Sequence, residues 1–332
     1  MDGIPDREGM VYPGATFDYD FIVQDAGTFW YHPHWNTATD VELGLQGLFL
    51  VRDPELDLPV AADRELVIDD IRLSEAGEIM LDTDQNDNTV GRHGNMLLVN
   101  GHLRPRITVE RGSRERWRIV NTANGRVFTL SLPGHQFTII GNDGGLIEAP
   151  VVVDSLVIGP AMRLDVIVEF SEDAPETLSL VDLGYDRPGD IRPLDDSTVF
   201  DMNVVERSGV AFTTPLPTRE IGPLPIDEST VVRRLSLSHD PAPFAGDGPA
   251  FYINGKRPPY DNTTMVATLG DVEIWAIENQ HDYLDSFHLH GMFFQVLSRT
   301  DSNGDARPEP YLSWRDTILI EPRQQVRIAM RY

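Results

Sequence analysis

The chain contains no cysteine, so it can form no disulfide, no thiolate metal ligand and no thiol nucleophile. Basic side chains are also scarce, because Lys256 is the only lysine and 27 basic residues stand against 53 acidic ones, for a net charge of −26. So acidic a chain repels nucleic acid and anionic membranes. No apolar run approaches the roughly 18 residues that span a bilayer. Nucleic-acid binding, membrane insertion and cysteine chemistry are therefore excluded for these residues.

Short apolar runs bounded by turn residues recur along the whole chain. With 24 proline and 27 glycine residues and no helical period sustained over three turns, they indicate an all-β fold built from packed sandwiches. The clearest runs are residues 65–71, 95–99, 116–120, 126–132, 136–140, 164–170, 272–277 and 318–320.

Two proline-containing segments interrupt this pattern, at residues 52–62 and 213–228. Proline-rich extended segments are typical of semi-rigid linkers between domains. We therefore expect three domains, at residues 1–55, 56–215 and 216–332.

The second half of the chain repeats part of the first half. Three segments recur with nearly constant spacing: NG at 100–101 and 254–255, WRIVN and WAIEN at 117–121 and 275–279, and FTLS and FHLH at 128–131 and 287–290. Thr129 and Ser131 of the first copy stand where His288 and His290 stand in the second. Two related sandwiches are therefore predicted, with histidine at these positions in only one of them.

Four of the nine histidines form two His-x-His pairs, His32 with His34 and His288 with His290. On a strand, residues i and i+2 point to the same face about 6.6 Å apart, so each pair would present two imidazoles to one cavity. Paired metals about 3.5–4 Å apart could share them. One such pair is more often structural than functional, but two pairs beside aromatic residues predict a metal site. Imidazole suits copper, zinc, iron and nickel, so the pairs alone leave the metal open.

The remaining histidines give no such pattern. His93, His102, His135 and His239 are single and lie in turn-like contexts, which indicates structural or surface roles. His281 lies near the second pair, four residues out of register with the position discussed below.

The sequence around each pair resembles the multicopper oxidases, the family of laccases, bilirubin oxidases and spore-coat oxidases. GTFWYHPHWNTATDVELGLQGLFLVRDP at 27–54 resembles their second copper motif, and SFHLHGMFFQVLSR at 286–299 resembles their third, followed by the expected WRDT at 314–317. The resemblance runs the length of the chain. It implies three cupredoxin-like Greek-key β-sandwich domains, the first and third of them incomplete.

The resemblance also implies roles for the paired histidines. His32 and His34 would each bind one copper of a type-3 pair, His288 would bind a type-2 copper, and His290 would bind a type-3 copper. With four further histidines they would hold a trinuclear cluster between the first and third domains that reduces O₂ to water. The second domain would be a metal-free spacer, which fits Thr129 and Ser131.

The sequence departs from the family pattern at three places. MDGIP at residues 1–5 resembles the string that follows the family's first His-x-His-Gly motif, and the chain stops before the expected His-Cys-His strand. Asp285 occupies the position, three residues before His288, at which the family has a type-1 copper histidine. The resemblance therefore implies a fragment truncated at both ends, inactive by itself, and leaves the type-1 site unsupported.

The expected function is oxidation of a phenolic or metal-ion donor by O₂, with copper as the cofactor and a small reducing substrate as the partner. Two alternatives remain open: a degenerate, copper-free scaffold or binding protein, and a relative of copper nitrite reductases. The family is mostly exported, so a periplasmic or secreted location is implied. The sequence determines neither the electron donor nor the oligomeric state.

Overall fold

Strands form nearly all the regular structure in the computed structural model, which describes residues 11–185, 194, 196–207, 214–240, 250–257 and 265–332. The all-β prediction is confirmed, and each of the eight predicted runs overlaps a strand. The helices of the described residues are α1 (Thr37–Glu42), α2 (Gln85–Val90) and a 3₁₀ turn at Pro54–Leu56. None of them is long and apolar enough to cross a bilayer. Residues 1–5 and the start of the predicted linker at 213 lie outside the described residues.

The first two strands form a small antiparallel sheet of their own. β1 (Gly27–Tyr31) pairs with β2 (Gly47–Val51), with Phe29 opposite Phe49. The connection between them carries the first His-x-His pair and α1.

Two sheets pack face to face in the middle of the chain. The seven-stranded sheet has the order β10-β9-β12-β7-β3-β4-β5 and the five-stranded sheet has the order β11-β8-β13-β14-β6. Their strands are β3 (Ala62–Ile71), β4 (Met96–Val99), β5 (His102–Leu103), β6 (Arg106–Glu110), β7 (Arg114–Asn121), β8 (Phe128–Ser131), β9 (Phe137–Asn142), β10 (Gly145–Val153), β11 (Leu156–Ile158), β12 (Arg163–Glu169), β13 (Thr177–Asp182) and β14 (Thr198–Val205).

The last part of the chain forms a six-stranded sheet, order β16-β15-β17-β22-β19-β20, and a two-stranded sheet of β18 and β21. Their strands are β15 (Val231–Asp240), β16 (Ala250–Ile253), β17 (Val272–Asn279), β18 (Asp285–His288), β19 (Phe294–Thr300), β20 (Ala306–Pro308), β21 (Thr317–Ile320) and β22 (Gln325–Arg331).

Each of these two regions has its own apolar core. The middle core surrounds Trp117, whose ring centroid lies 5.5 Å from that of Phe200 and 6.3 Å from that of Phe137. The last core contains Trp275 and Phe294. Separate cores allow the two sandwiches to be packed independently, so the regions that join them can carry polar residues.

The internal repeat is confirmed by matching side-chain contacts. Trp117 Nε1 donates to Glu115 at 2.9 Å, and Arg64 donates two hydrogen bonds of 2.7 Å to the same carboxylate. The second sandwich makes these contacts with Trp275, Glu273 and Arg233. In both copies the strand with the arginine runs parallel to the strand with the tryptophan, which brings residues distant in sequence together.

The NG pairs have the same role in both copies. Asn100 and Asn254 adopt left-handed conformations, with φ of 52° and 53°. The side-chain oxygen of Asn100 accepts from Val67 N, and that of Asn254 accepts from Ser236 N, both at 2.8 Å. Asparagine tolerates this conformation, and the following glycine completes the turn.

Candidate metal centre

The first His-x-His pair follows β1 rather than lying within it. β1 ends at Tyr31, and the chain then turns until Asn36, in the left-handed conformation with φ 53°, leads into α1. Thr37 Oγ1 donates to Pro33 O at 3.0 Å and closes this turn. The prediction that both histidines lie on a strand is therefore wrong, because the strand pairing stops one residue earlier. Their ring centroids are nevertheless 6.1 Å apart.

The second pair lies at the end of β18. His288 is the last residue of that strand, opposite Thr317 of β21, and His290 lies beyond it. The Leu289 amide between them donates to Asp316 O at 2.9 Å. The two ring centroids are 4.7 Å apart.

Folding brings the two pairs together. The ring centroids of His34 and His290 are 5.2 Å apart, with the rings nearly perpendicular. Around them, Trp30 stacks on His32 at 4.4 Å, and Phe29 contacts Phe293 at 6.4 Å. All four predicted site residues therefore line one place between the first strand pair and the last sandwich.

Electrostatics keep part of this cluster neutral. Burial lowers the pKa of His32, against the hydrogen bond to Pro33, and the neighbouring histidines lower it further. Burial also lowers the pKa of His290, as do His288 and His34. Neutral imidazole is the form that binds a metal ion, so the cluster is suited to a cation.

Hydrogen bonds on the far side of two rings select the nitrogen that faces the cluster. His32 Nδ1 donates to Pro33 O at 2.9 Å. His288 Nδ1 lies 3.0 Å from Asp316 O and 2.9 Å from Thr317 Oγ1. A metal-binding histidine commonly donates its second nitrogen to a carbonyl or carboxylate, which fixes the ring and its tautomer. Both rings therefore have Nε2 available as the ligand atom.

The donor chemistry fits copper, but these four rings alone do not make a closed coordination shell. In the part of the chain that the structure describes, no three histidine, aspartate or glutamate side chains converge on one ion-sized position. Four neutral imidazoles suit copper, and a copper ion here would need ligands in addition to them.

Asp285 is paired with a histidine that the sequence analysis left aside. Its Oδ2 lies 3.2 Å from Nδ1 of His281, which is 2% exposed. His239, interpreted above as structural or surface, lies beside His281 with ring centroids 4.9 Å apart. The register offset seen in the sequence is thus removed by the turn at 281–284, which folds His281 back onto β18.

The segment after His34 is anchored to the middle sandwich through the end of α1. Glu42 is buried, forms an ion pair with Arg92 and accepts from Asn124 Nδ2 at 3.0 Å. Asn124 Nδ2 also donates to Ala38 O at 3.0 Å. These contacts fix the direction in which the chain leaves His34, and neither composition nor spacing indicated them.

A carboxyl group beside this anchor should make stability depend on pH. Burial, together with Asp70 and Glu42, raises the pKa of Asp69 to about 7. A carboxyl with a raised folded-state pKa stabilises the fold below its unfolded-state pKa, and this contribution is lost as the pH rises through the folded-state value. We therefore expect Asp69→Asn to gain roughly 2 kcal/mol relative to wild type between about pH 4 and pH 8.

The asparagine is compatible with the site. Asp69 accepts from Asp70 N and Gln46 Nε2, both at 2.8 Å, and Gln46 Oε1 is buried without a partner, so a rotated Gln46 amide can accept from the new Nδ2. Melting temperatures across the pH range, with the exposed Glu75→Gln as control, measure the effect. Parallel pH curves for wild type and Asp69→Asn would contradict it.

Comparisons with known proteins point to one family. Family models described as multicopper oxidase match residues 1–56, 74–182 and 228–332. The laccase of Bacillus subtilis is 28% identical over 99% of this chain and 73% of its own length. The cell division protein FtsP of Xenorhabdus nematophila is 32% identical over 93% of this chain and 65% of its own.

A solved structure gives the same result. The McoA multicopper oxidase of Aquifex aeolicus superposes with a TM-score of 0.75 at 30% identity, covering 94% of this chain and 71% of that one. The chain thus spans about two thirds of the length of the relatives that it matches. The predicted cupredoxin-like sandwich fold is confirmed by this likeness.

Proposed function

Because the chain belongs to the multicopper oxidase family, we propose that His32, His34, His288 and His290 bind copper in a protein that couples oxidation of a small donor to reduction of O₂ to water. The observation that supports this most directly is the 5.2 Å separation of the His34 and His290 rings, which come from opposite ends of the chain. A separation of this size suits ligands of adjacent metal ions.

Each histidine has a proposed role. His32, His34 and His290 are ligands of the type-3 copper pair, and His288 is a ligand of the type-2 copper. Bound copper supplies the one-electron steps between donor and O₂. The chain itself holds the rings in place, since His32 and His288 are fixed through Nδ1 and the stacked Trp30 limits the access of water to His32.

The four rings represent half of the eight histidines that such a cluster uses. We therefore propose that these residues alone do not turn over, and that the type-1 position is altered, because Asp285 is engaged with His281. We further propose domains at residues 1–55, 56–215 and 216–332, an exported location, and a phenol or a reduced metal ion as the donor.

The test uses the intact gene product in metal-free form. After Cu(I) loading and desalting, copper is counted by atomic absorption, and O₂ uptake is recorded with a phenolic donor, Fe(II) and Mn(II). Retained copper with donor-dependent O₂ uptake above a free-copper control is expected. A product that retains no copper would reject the proposal and favour the copper-free scaffold, whereas nitrite-dependent NO formation would favour a nitrite reductase. The present 332 residues, loaded in the same way, should take up no O₂ above the control.

A further inference from the structure

A hairpin of the middle sandwich lies between the two histidine-bearing segments. It connects β9 and β10 through Asp143 and Gly144. Gly144 N donates to Trp314 O at 3.0 Å, and Thr317 N donates to Asp143 Oδ2 at 3.3 Å. The hairpin therefore packs directly against the segment that holds His288.

One arginine connects all three regions at this point. Arg163 is 2% exposed and starts β12 of the middle sandwich. Its Nε donates to Thr28 O of β1 at 3.1 Å. Its two terminal nitrogens donate to Asp316 Oδ1 and Oδ2, each at 2.7 Å.

The remaining donors of Arg163 are used within the middle sandwich. They reach Ala161 O at 3.0 Å and Asp143 O at 3.1 Å. Arginine has five N–H donors in a rigid plane, and here each of them has an acceptor. The relative positions of β1, the hairpin and the 316–317 segment are thus set by one planar group.

We propose that Arg163 is a positioning residue that holds the two histidine pairs at their mutual distance. On one side it holds Thr28, four residues before His32 on the strand that leads to the first pair. On the other side it holds Asp316, whose backbone oxygen accepts from His288 Nδ1. The middle sandwich therefore does more than separate the other two regions, because it sets the geometry of the site between them.

The chemistry of the site explains why such a residue is needed. Metal ligands must reach their positions within about 0.2 Å, and the two pairs are separated by most of the chain. Apolar packing at a junction tolerates larger shifts than this, whereas a bidentate guanidinium–carboxylate pair fixes both distance and plane. Buried ion pairs add little net stability, so a contribution to geometry is their better-supported role here.

The chain offers a matched control. Arg116, on β7 of the same sheet, is also buried and also makes a bidentate pair, with Asp165 at 2.9 and 2.5 Å. Both partners belong to the middle sandwich and touch neither histidine segment. Arg116→Lys therefore removes the same kind of fork without changing the junction.

The experiment compares Arg163→Lys with Arg116→Lys in the intact gene product. Lysine keeps the charge but cannot reach Thr28, Asp143 and Asp316 together. Copper affinity, from competition with a Cu(I) chelator, is expected to fall about 10–100-fold in Arg163→Lys and to stay within about twofold of wild type in Arg116→Lys. In the metal-free protein labelled with ¹⁵N-histidine, the His288 Nδ1–H signal, assigned with His288→Gln, should broaden or shift only in Arg163→Lys.

The inference about copper affinity rests on the proposed function, but the ¹⁵N measurement does not. If wild type retains no copper and the His288 signal still changes only in Arg163→Lys, the proposed function fails and the positioning role stands. If copper affinity and the His288 signal are the same in both lysine variants, the positioning role is overturned and the proposed function stands.

A second pair of variants covers the case in which Arg163→Lys does not fold. A Cβ at Gly144 would lie 2.5 Å from Trp314 Cβ, so Gly144→Ala must separate the hairpin from the 314–317 segment. Gly222→Ala adds the same group where no atom lies within 4 Å. The same loss of copper affinity and the same His288 change are expected in Gly144→Ala only, and wild-type values for both readouts would overturn the proposal.

Discussion

Replacing His290 with alanine is expected to abolish copper retention, with a loss of affinity greater than the roughly 100-fold upper range for a hydrogen-bonding partner of a ligand. His290 has this effect because its ring contacts both pairs, with centroids 5.2 Å from His34 and 4.7 Å from His288. Its removal therefore takes a ligand from the junction of the cluster rather than from its edge. Copper per protein after desalting, with electron paramagnetic resonance of the remaining ions, measures the loss.

His102→Ala is the control for the loss of one imidazole. His102 is exposed on β5, in the sandwich to which we assign no copper, so its removal should leave the copper content unchanged. Equal copper retention in the two variants would contradict the proposed role of His290. A fall in both would show that copper binds to surface histidines without specificity.

Replacing Trp117 with alanine is expected to lower the free energy of unfolding by about 3–5 kcal/mol, the typical cost of deleting a buried aromatic side chain. The indole is fully buried and contacts Phe137, Phe170 and Phe200, so its removal leaves a cavity between the two sheets. The opposing strands are paired along their length, which limits how far the cavity can collapse. Urea unfolding followed by circular dichroism measures the difference.

Trp117→Phe separates the cavity from the hydrogen bond. Phenylalanine keeps most of the ring contacts but loses the Nε1–H bond to Glu115, whose charge remains paired with Arg64. We expect it to cost less than half as much as alanine. The repeat predicts a comparable loss for Trp275→Ala, in the second copy of the same arrangement. A loss below about 1 kcal/mol in Trp117→Ala would mean that this core is not closely packed.

The strands were predictable because their signal is local. Apolar runs such as 136–140 and 164–170 lie between turn residues, and adjacent side chains alone define them. The internal repeat was predictable for the same reason, since the WRIVN and WAIEN strands keep the same residues at the same positions. The His-x-His pairs were visible as residue types, although β1 ends before His32 and β18 ends at His288.

The contacts around Asp285 and Arg163 were not predictable in this way. Asp285 looked like an isolated departure from the family pattern, but a turn brings His281 to within 3.2 Å of it. Arg163 is one of many arginines in the sequence, and no spacing marks it. Its acceptors come from three separate regions, at Thr28, Asp143 and Asp316.

The sequence by itself determined that the chain is all-β, that two related sandwiches follow one another, and which four histidines are candidates for copper. These are properties of residue type and short-range order, which the chain carries before it folds. Only the tertiary structure decided that His34 meets His290, and that the middle sandwich holds the two pairs in register through Arg163. The physical reason is that both features depend on distances between strands of different sheets, and those distances are set by packing and buried hydrogen bonds rather than by position along the chain.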